Sequence, residues 1–197
     1  MNFLAHCLLS CDDEWVLVGN FVADFIRNRE VADFSPAVQA GILLHRRIDQ
    51  YTDAHPVVRR STERVRAAHR KYAPVVVDIY YDHLLATQWS AYHGVPLAEF
   101  AMRQYQVLEQ HLDLMPERLR ARLPGMIAGD WLVQYGQLDG LAYTFERLRT
   151  RLSRPEQLDG VMTTLAREHE GLLADFEQFF PEIQQYVRRQ CLQLTKG

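Results

Sequence analysis

Acidic residues and histidines recur at a spacing of four within two apolar segments in the first half of the chain. Because residues four apart lie on one face of an α-helix, each segment predicts a column of carboxylate and imidazole groups. The flanking positions are Ile, Leu, Val and Tyr, whereas a solvated charged face has polar neighbours. Such columns supply metal ligands or acid and base catalysts. They consist of His45, Asp49 and Asp53 in GILLHRRIDQYTD and of Asp78, Asp82 and the adjacent His83 in VVVDIYYDHLLATQW.

The segment VGNFVADFIRN near the N-terminus adds a third column. Asn20 and Asp24 are again four apart among apolar neighbours, and Gly19 permits another helix to approach closely. His6, in NFLAHCLL, is by itself better explained as a hydrogen-bonded core histidine. Burying several carboxylates is costly, however, and metal coordination offsets that cost, so the columns together predict a metal site. Buried ion pairs with the nearby arginines are the structural alternative.

The composition is that of an ordinary globular protein. The chain has 197 residues, 48% hydrophobic and 24% charged, with a net charge of −3, which predicts a single domain over residues 1–197. No apolar run reaches the length of a transmembrane helix, and MNFLAHCLLS lacks the basic leader and cleavage site of a signal peptide. The cysteine count is odd, and Cys7 and Cys11 are placed on one helix rather than in a disulfide framework. These features predict a cytoplasmic protein.

Prolines mark the predicted helix boundaries, and the apolar spacing between them favours helix. Ser35-Pro36, for example, combines an N-cap residue with a first-turn proline. No alternating strand pattern or hairpin turn occurs, so we predict an all-α, single-domain helical bundle. The predicted helices cover about 36–53, 57–71 and 75–92, and further boundaries are predicted at Pro96, Pro116, Pro124, Pro155 and Pro181.

Four motifs occur in order along the chain: MNFLAH, GNFVADF, HRRIDQYTD and YDHLLATQW. Together with DWLVQY and Arg151 they resemble the acyl carrier protein phosphodiesterase family, and the resemblance is weak after about residue 155. It implies an all-helical fold distantly related to the HD-domain metal-dependent phosphohydrolases. The adjacent His-Asp pair of those enzymes is absent, and only the reversed Asp82-His83 occurs. The implied reaction removes the 4′-phosphopantetheine arm from holo-acyl carrier protein to give the apo protein, with a divalent cation, Mn²⁺ preferred.

That reaction needs an activated water and neutralisation of phosphate charge, which a metal held by imidazole and carboxylate can supply. Mixed His and Asp ligation suits Mn²⁺, Mg²⁺ or Fe²⁺. Guanidinium groups bind phosphate through paired hydrogen bonds. The predicted metal ligands are Asp24, His45 and Asp82, with His6 and His83 as further candidates. The predicted catalytic groups are Asp24, Asp49 and Asp78, and the predicted substrate-binding groups are Arg27, Arg46, Arg47 and Arg151.

Two other functions fit the same residues. One is an HD-like phosphohydrolase that acts on a nucleotide or a small phosphodiester, although no glycine-rich phosphate loop is present. The other is a noncatalytic helical module that binds carrier protein through its arginines. According to the resemblance the carrier protein is acidic, so clustered arginines such as Arg147, Arg149 and Arg151 predict its docking surface. The charge distribution argues against nucleic acid as a partner, no membrane partner is predicted, and the oligomeric state is left open.

Overall fold

The computed structural model describes residues 1–194, and within that range it contains helices and no β-strand. The all-α prediction is therefore confirmed. The α-helices are α1 (Phe3–Leu8), α2 (Glu14–Val22), α3 (Pro36–Ala54), α4 (Pro56–His69), α5 (Ala73–Thr87), α6 (Trp89–Tyr92), α7 (Leu97–Gln110), α8 (Glu117–Arg120), α9 (Leu123–Ala128), α10 (Trp131–Gln134), α11 (Leu138–Arg149) and α12 (Val161–Leu194). Short 3₁₀ helices cover Ala23–Phe25, Asn28–Asp33, Arg70–Tyr72, Leu112–Leu114 and Pro155–Leu158.

Local sequence signals account for most helix starts. The Ser35 side chain accepts a hydrogen bond from the backbone N–H of Val38, and Pro36 occupies the first turn of α3. Pro56 begins α4 in the same way. The helix predicted over 75–92 is present but interrupted at Gln88, which separates α5 from α6. The Thr87 hydroxyl before the break donates to backbone carbonyls of the preceding turn, which weakens a helix.

Pro181 lies inside α12, so the helix boundary predicted there is wrong. An interior proline lacks the backbone N–H and costs a helix about 3 kcal/mol. The neighbouring side chains of Phe179, Phe180 and Ile183 are fully buried. Burying a side chain of this size contributes roughly 1.5–3 kcal/mol, so the packing of α12 outweighs the local penalty.

The helices surround one hydrophobic core, and the pairs that matter for the site are α2 with α3 and α1 with α2 and α5. The axes of α2 and α3 cross at two glycines. A Cβ atom added to Gly19 would lie 2.0 Å from the carbonyl oxygen of Val38, and one added to Gly41 would lie 2.3 Å from that of Val16. Only glycine permits this approach, as predicted for Gly19. The crossing brings the polar side chains of α2 against those of α3.

The cysteines do not follow the prediction. Helix α1 ends at Leu8, Cys11 lies in the following turn with a φ of 63°, and its sulfur is bonded to that of Cys191 in α12. This disulfide joins residues 180 positions apart, and helical periodicity within one segment cannot predict such a pairing. Cys7 is buried and unbonded. The cysteine argument for a reducing compartment therefore loses its basis, and the cytoplasmic location stays a prediction.

Residues 1–194 include no helix with both the length and the apolarity that crossing a bilayer requires.

Candidate metal centre

Three predicted site residues from two helices meet in one cluster. His6 lies on α1, and His45 and Asp49 lie one turn apart on α3. One potential ligand atom from each residue lies within 4.8 Å of the others. The Nε2 atom of His6 is 3.2 Å from Oδ1 of Asp49, and Nε2 of His45 is 3.1 Å from Oδ2 of the same carboxylate. Both imidazoles therefore turn the same ring nitrogen toward Asp49.

Asp24 extends the cluster from the 3₁₀ turn that follows α2. Its Oδ1 atom lies 3.2 Å from Nε2 of His45. The side chain of Asp24 is 53% exposed and that of Asp49 is 40% exposed, whereas the histidine side chains are at most 7% exposed. The cluster thus has a buried imidazole floor and a carboxylate rim that faces solvent, so a ligand can reach it from outside.

Asn20 contacts the two histidines from the buried side, and the sequence predicted only a place in a column for this residue. Its Oδ1 atom lies 2.7 Å from Nδ1 of His6 and 3.1 Å from Nδ1 of His45. The sequence signal for this role of Asn20 is an amide side chain within the apolar segment GNFVADF, four positions before Asp24. The two imidazole rings stack with their centroids 4.1 Å apart.

Asp78 reaches the edge of the cluster through the chain terminus. The α-amino group of Met1 lies 3.1 Å from Oδ1 of Asp78 and 3.8 Å from Oδ1 of Asp49. The predicted catalytic residues Asp24, Asp49 and Asp78 are therefore linked through His45 and the Met1 amino group, although they come from three elements. Asp53 continues the α3 column by one turn and is exposed.

Asp82 and His83 do not join this cluster. The Asp82 carboxylate is fully buried and accepts hydrogen bonds from the backbone N–H groups of Leu4 and Ala5, at 2.7 Å and 3.2 Å. It thus satisfies the free N–H groups at the start of α1. Burial raises the pKa of Asp82 to about 7, against the opposing effect of those hydrogen bonds. The Nδ1 of His83 lies 2.7 Å from the carbonyl oxygen of Tyr135, so both residues have structural partners and their assignment as ligands lacks geometric support.

The pKa values of the two clustered histidines are shifted in opposite directions. Burial lowers the pKa of His6. Burial also acts to lower the pKa of His45, but hydrogen bonds and charges of Asp24 and Asp49 outweigh it and raise the pKa to about 9. For both carboxylates burial acts to raise the pKa, and the histidines outweigh it and lower the pKa. Opposite charges in close contact therefore favour the ionised carboxylates that a cation needs.

The predicted substrate-binding arginines are not equivalent. Arg46 is exposed and donates to the side chain of Asn28, in the turn after Asp24, and Arg27 is exposed beside it. Arg47 lies on another side of α3 from His45 and donates to Gln190 of α12 at 2.7 Å. Arg46 thus contacts the segment that follows Asp24, whereas Arg47 is engaged by α12. Arg151 lies elsewhere, beside the three arginines Arg118, Arg122 and Arg147.

The donor set fits a divalent cation. Two imidazole nitrogens and carboxylate oxygens converge, and the surrounding groups already hold the carboxylates ionised. Mixed nitrogen and oxygen ligation of this kind suits Mn²⁺, Fe²⁺ or Zn²⁺, and carboxylates also bind Mg²⁺. The arrangement can therefore hold a Lewis acid between buried imidazoles and partly exposed carboxylates.

Comparison with known proteins agrees with the sequence resemblance. A family model described as acyl carrier protein phosphodiesterase matches residues 1–183. A protein of that name from Serratia proteamaculans (strain 568) is 34% identical over 190 residues, covering 95% of this chain and 98% of the relative. A protein of the same name from Escherichia coli O6:H1 is 34% identical over 193 residues, covering 98% and 100%. No solved structure matches significantly, so kinship with HD-domain enzymes stays a prediction. The chain belongs to the acyl carrier protein phosphodiesterase family of hydrolases.

Proposed function

We propose that this chain is a metal-dependent phosphodiester hydrolase that removes the 4′-phosphopantetheine arm from holo-acyl carrier protein and leaves the apo protein. The relatives carry the name acyl carrier protein phosphodiesterase, which supports the substrate. The observation that carries the mechanism is the convergence of His6, His45 and Asp49 beneath a solvent-facing carboxylate rim. A buried ion pair used only for stability would not need two histidines to share one exposed carboxylate.

His6, His45, Asp49 and Asp24 are the residues proposed to hold the cation. The family resemblance favours Mn²⁺, and the same imidazole and carboxylate ligands also suit Mg²⁺ and Fe²⁺. A bound divalent cation supplies Lewis-acid stabilisation of the phosphate and a water activated for attack. The buried imidazole floor fixes the position of the ion, because its side chains have little freedom to move.

The remaining groups act on the substrate. Asp78, which is linked to Asp49 through the Met1 amino group and lies outside the ligand set, is proposed to accept the proton released during attack. Arg46 and Arg27 are proposed to bind the nonbridging phosphate oxygens, because both are exposed next to the turn that carries Asp24. Arg47 is less suited to this role while it donates to Gln190.

The test is a turnover assay in which mass spectrometry follows loss of the arm from holo-acyl carrier protein, with and without Mn²⁺. Removing metal should abolish turnover and Mn²⁺ should restore it. His45→Ala and Asp49→Ala should each lower turnover by at least about a hundredfold, because loss of a ligand impairs metal binding and catalysis together. Asp82→Asn should bind Mn²⁺ as wild type does, since the Asp82 carboxylate accepts hydrogen bonds from the start of α1.

His55→Ala is the matched control, because Nε2 of His55 also lies 3.2 Å from a carboxylate oxygen, that of Glu182, outside the cluster. It should retain turnover. Tight binding of carrier protein without turnover would favour the noncatalytic module. Turnover of nucleotides or small phosphodiesters but not of holo-acyl carrier protein would favour the other phosphohydrolase. Full activity of His45→Ala in metal-free buffer would refute the metal centre.

A further inference from the structure

Asn20 occupies a buried position where both ligand histidines meet. Its side chain is on α2, and the residue is 1% exposed. The single oxygen Oδ1 contacts Nδ1 of His6 and Nδ1 of His45, which come from α1 and α3. An amide oxygen has two lone pairs, so Oδ1 of Asn20 can accept a hydrogen bond from each of the two rings.

The orientation of the Asn20 amide follows from its other neighbours. The Nδ2 atom lies 3.0 Å from the carbonyl oxygen of His6 and 3.0 Å from Oγ of Ser10. A carbonyl oxygen only accepts, so the amide nitrogen must face it. The Ser10 hydroxyl donates its one hydrogen to the same carbonyl at 2.7 Å and therefore presents a lone pair to Nδ2. A flipped amide would set oxygen against oxygen, so Oδ1 faces the histidines.

The tautomer of both rings follows in turn. The amide oxygen carries no hydrogen, so each Nδ1 atom that contacts it must be the donor. A neutral imidazole carries only one hydrogen on nitrogen, so when a cation lies between the rings and Asp49, Nε2 of His6 and Nε2 of His45 supply the lone pairs that would bind it. These are the two atoms that face Asp49, at 3.2 Å and 3.1 Å. One buried amide thus determines which nitrogen of both rings is free for a ligand.

We propose that Asn20 is a positioning residue that fixes the Nδ1–H tautomer of His6 and His45 together and so presents both Nε2 atoms to the divalent cation. This inference rests on the proposed function for the presence of the cation. Partners of this kind, which hold the second nitrogen of a ligand histidine, typically change metal affinity by 10–100-fold when they are removed. Here one substitution affects two ligands, so the loss should lie toward the upper end of that range.

The first measurement uses wild-type protein loaded with Zn²⁺, a diamagnetic divalent cation, because without a cation the Asp49 carboxylate that faces both Nε2 atoms would favour a hydrogen there. Long-range ¹H–¹⁵N correlations of the histidine side chains identify which nitrogen of each ring carries the hydrogen and which one binds the cation. Both rings should carry their hydrogen on Nδ1 and bind the cation through Nε2. Coordination of either ring through Nδ1 would overturn the proposal without any variant. Wild-type protein that binds no Mn²⁺ would instead refute the metal centre of the proposed function, so the two failures are distinguishable.

Two substitutions then separate tautomer control from packing. Asn20→Leu keeps a similar volume and removes every hydrogen bond, so Mn²⁺ affinity should fall 10–100-fold and both rings should show mixed tautomers. Asn20→Asp keeps an acceptor for both Nδ1 atoms but sets its second oxygen against the carbonyl oxygen of His6, so it should lose less affinity than Asn20→Leu. Equal losses in the two variants, or unchanged tautomers in Asn20→Leu, would show that Asn20 only supports packing.

Thr52→Val is the control for lost stability. Thr52 is fully buried on α3, and its hydroxyl donates to the carbonyl of Ile48 at 2.8 Å, away from the cluster. This variant loses one buried hydrogen bond but should bind Mn²⁺ with wild-type affinity.

Discussion

At the scale of single residues, the surroundings shift the two histidines of the site in opposite directions. Burial lowers the pKa of His6, whereas Asp24 and Asp49 raise the pKa of His45 to about 9. Near neutral pH a metal ion must therefore displace a proton from His45. Without the ion, Asp24 and Asp49 stabilise the proton on His45, and with the ion bound they would coordinate it. Both carboxylates therefore face a positive charge in either state.

This competition predicts a specific pH dependence. From about pH 7 to about pH 9, Mn²⁺ affinity should rise close to tenfold per pH unit, because binding releases one proton from His45, and it should level off above that pH. Apparent dissociation constants measured against a competing chelator at several pH values would show this. Asp24→Asn removes one of the two carboxylates that raise the pKa of His45, so its plateau should begin at lower pH. An affinity independent of pH below 9 would contradict the assignment.

At the scale of secondary structure, the site depends on how closely α2 and α3 pack. Asn20 follows Gly19 directly, and His45 lies one turn beyond Gly41 on α3. Both glycines would place an added Cβ within 2.3 Å of a backbone oxygen on the other helix. Backbone atoms cannot rotate aside as a side chain can, so the helices would have to separate and would move Asn20 away from His45.

Gly19→Ala should therefore lower both stability and metal affinity. Overpacking of a core costs typically 1–3 kcal/mol, and a contact with backbone should reach at least about 2 kcal/mol. Urea unfolding gives the stability and chelator competition gives the Mn²⁺ affinity. The control is Gly125→Ala in α9, where an added Cβ has no neighbour within 4 Å and alanine should be neutral or slightly stabilising. Equal behaviour of the two variants would show that the crossing tolerates expansion.

At the scale of the whole molecule, the Cys11–Cys191 bond ties the turn after α1 to the last part of α12 across a separation of 180 residues. Closing a loop of this size restricts the unfolded chain, and its loss should lower the free energy of unfolding by about 3–5 kcal/mol. Urea unfolding with and without a reducing agent measures the effect. Cys191→Ser should show a similar loss and no further change on reduction. An unaltered transition in reduced wild-type protein would refute the stabilising role.

A second whole-molecule feature is the group of arginines Arg118, Arg122, Arg147 and Arg151. Burial, with the charges of the other three, lowers the pKa of the Arg151 guanidinium. Within residues 1–194 no carboxylate forms an ion pair with any of the four, whereas Arg149 pairs with Asp159 at 2.6 Å. Unpaired like charges attract an anionic partner, and the proposed carrier protein is acidic, so this group is the expected docking surface.

Arg151→Glu should raise the Michaelis constant for holo-acyl carrier protein about five- to tenfold and change the turnover number much less, because the side chain contacts the partner and not the phosphate. Added salt should weaken the wild-type enzyme in the same way. Arg149→Glu is the matched reversal and should have a smaller effect, since Arg149 is already paired. A small phosphodiester should be indifferent to both substitutions. Insensitivity of the carrier-protein reaction to Arg151→Glu and to salt would place docking elsewhere.

The sequence alone determined the structural features that depend on residues close together along the chain. Helix starts at Pro36 and Pro56 were readable because capping and fixed φ angles act within a few residues. The shared face of His45 and Asp49 was readable because it follows from helical periodicity. The family was also readable, because its motifs are contiguous segments of sequence.

Tertiary structure decided which columns meet. Asp82 has the same spacing and apolar context as Asp49. Asp82, however, accepts hydrogen bonds from the N–H groups at the start of α1, whereas Asp49 contacts the two histidines. Periodicity specifies the face of a helix but not the element packed against that face, and that choice depends on contacts such as the Gly19–Gly41 crossing. Contacts between segments distant in sequence also decided three other features: the role of Asn20, the Cys11–Cys191 bond and the continuity of α12 through Pro181. Such contacts can outweigh local preferences.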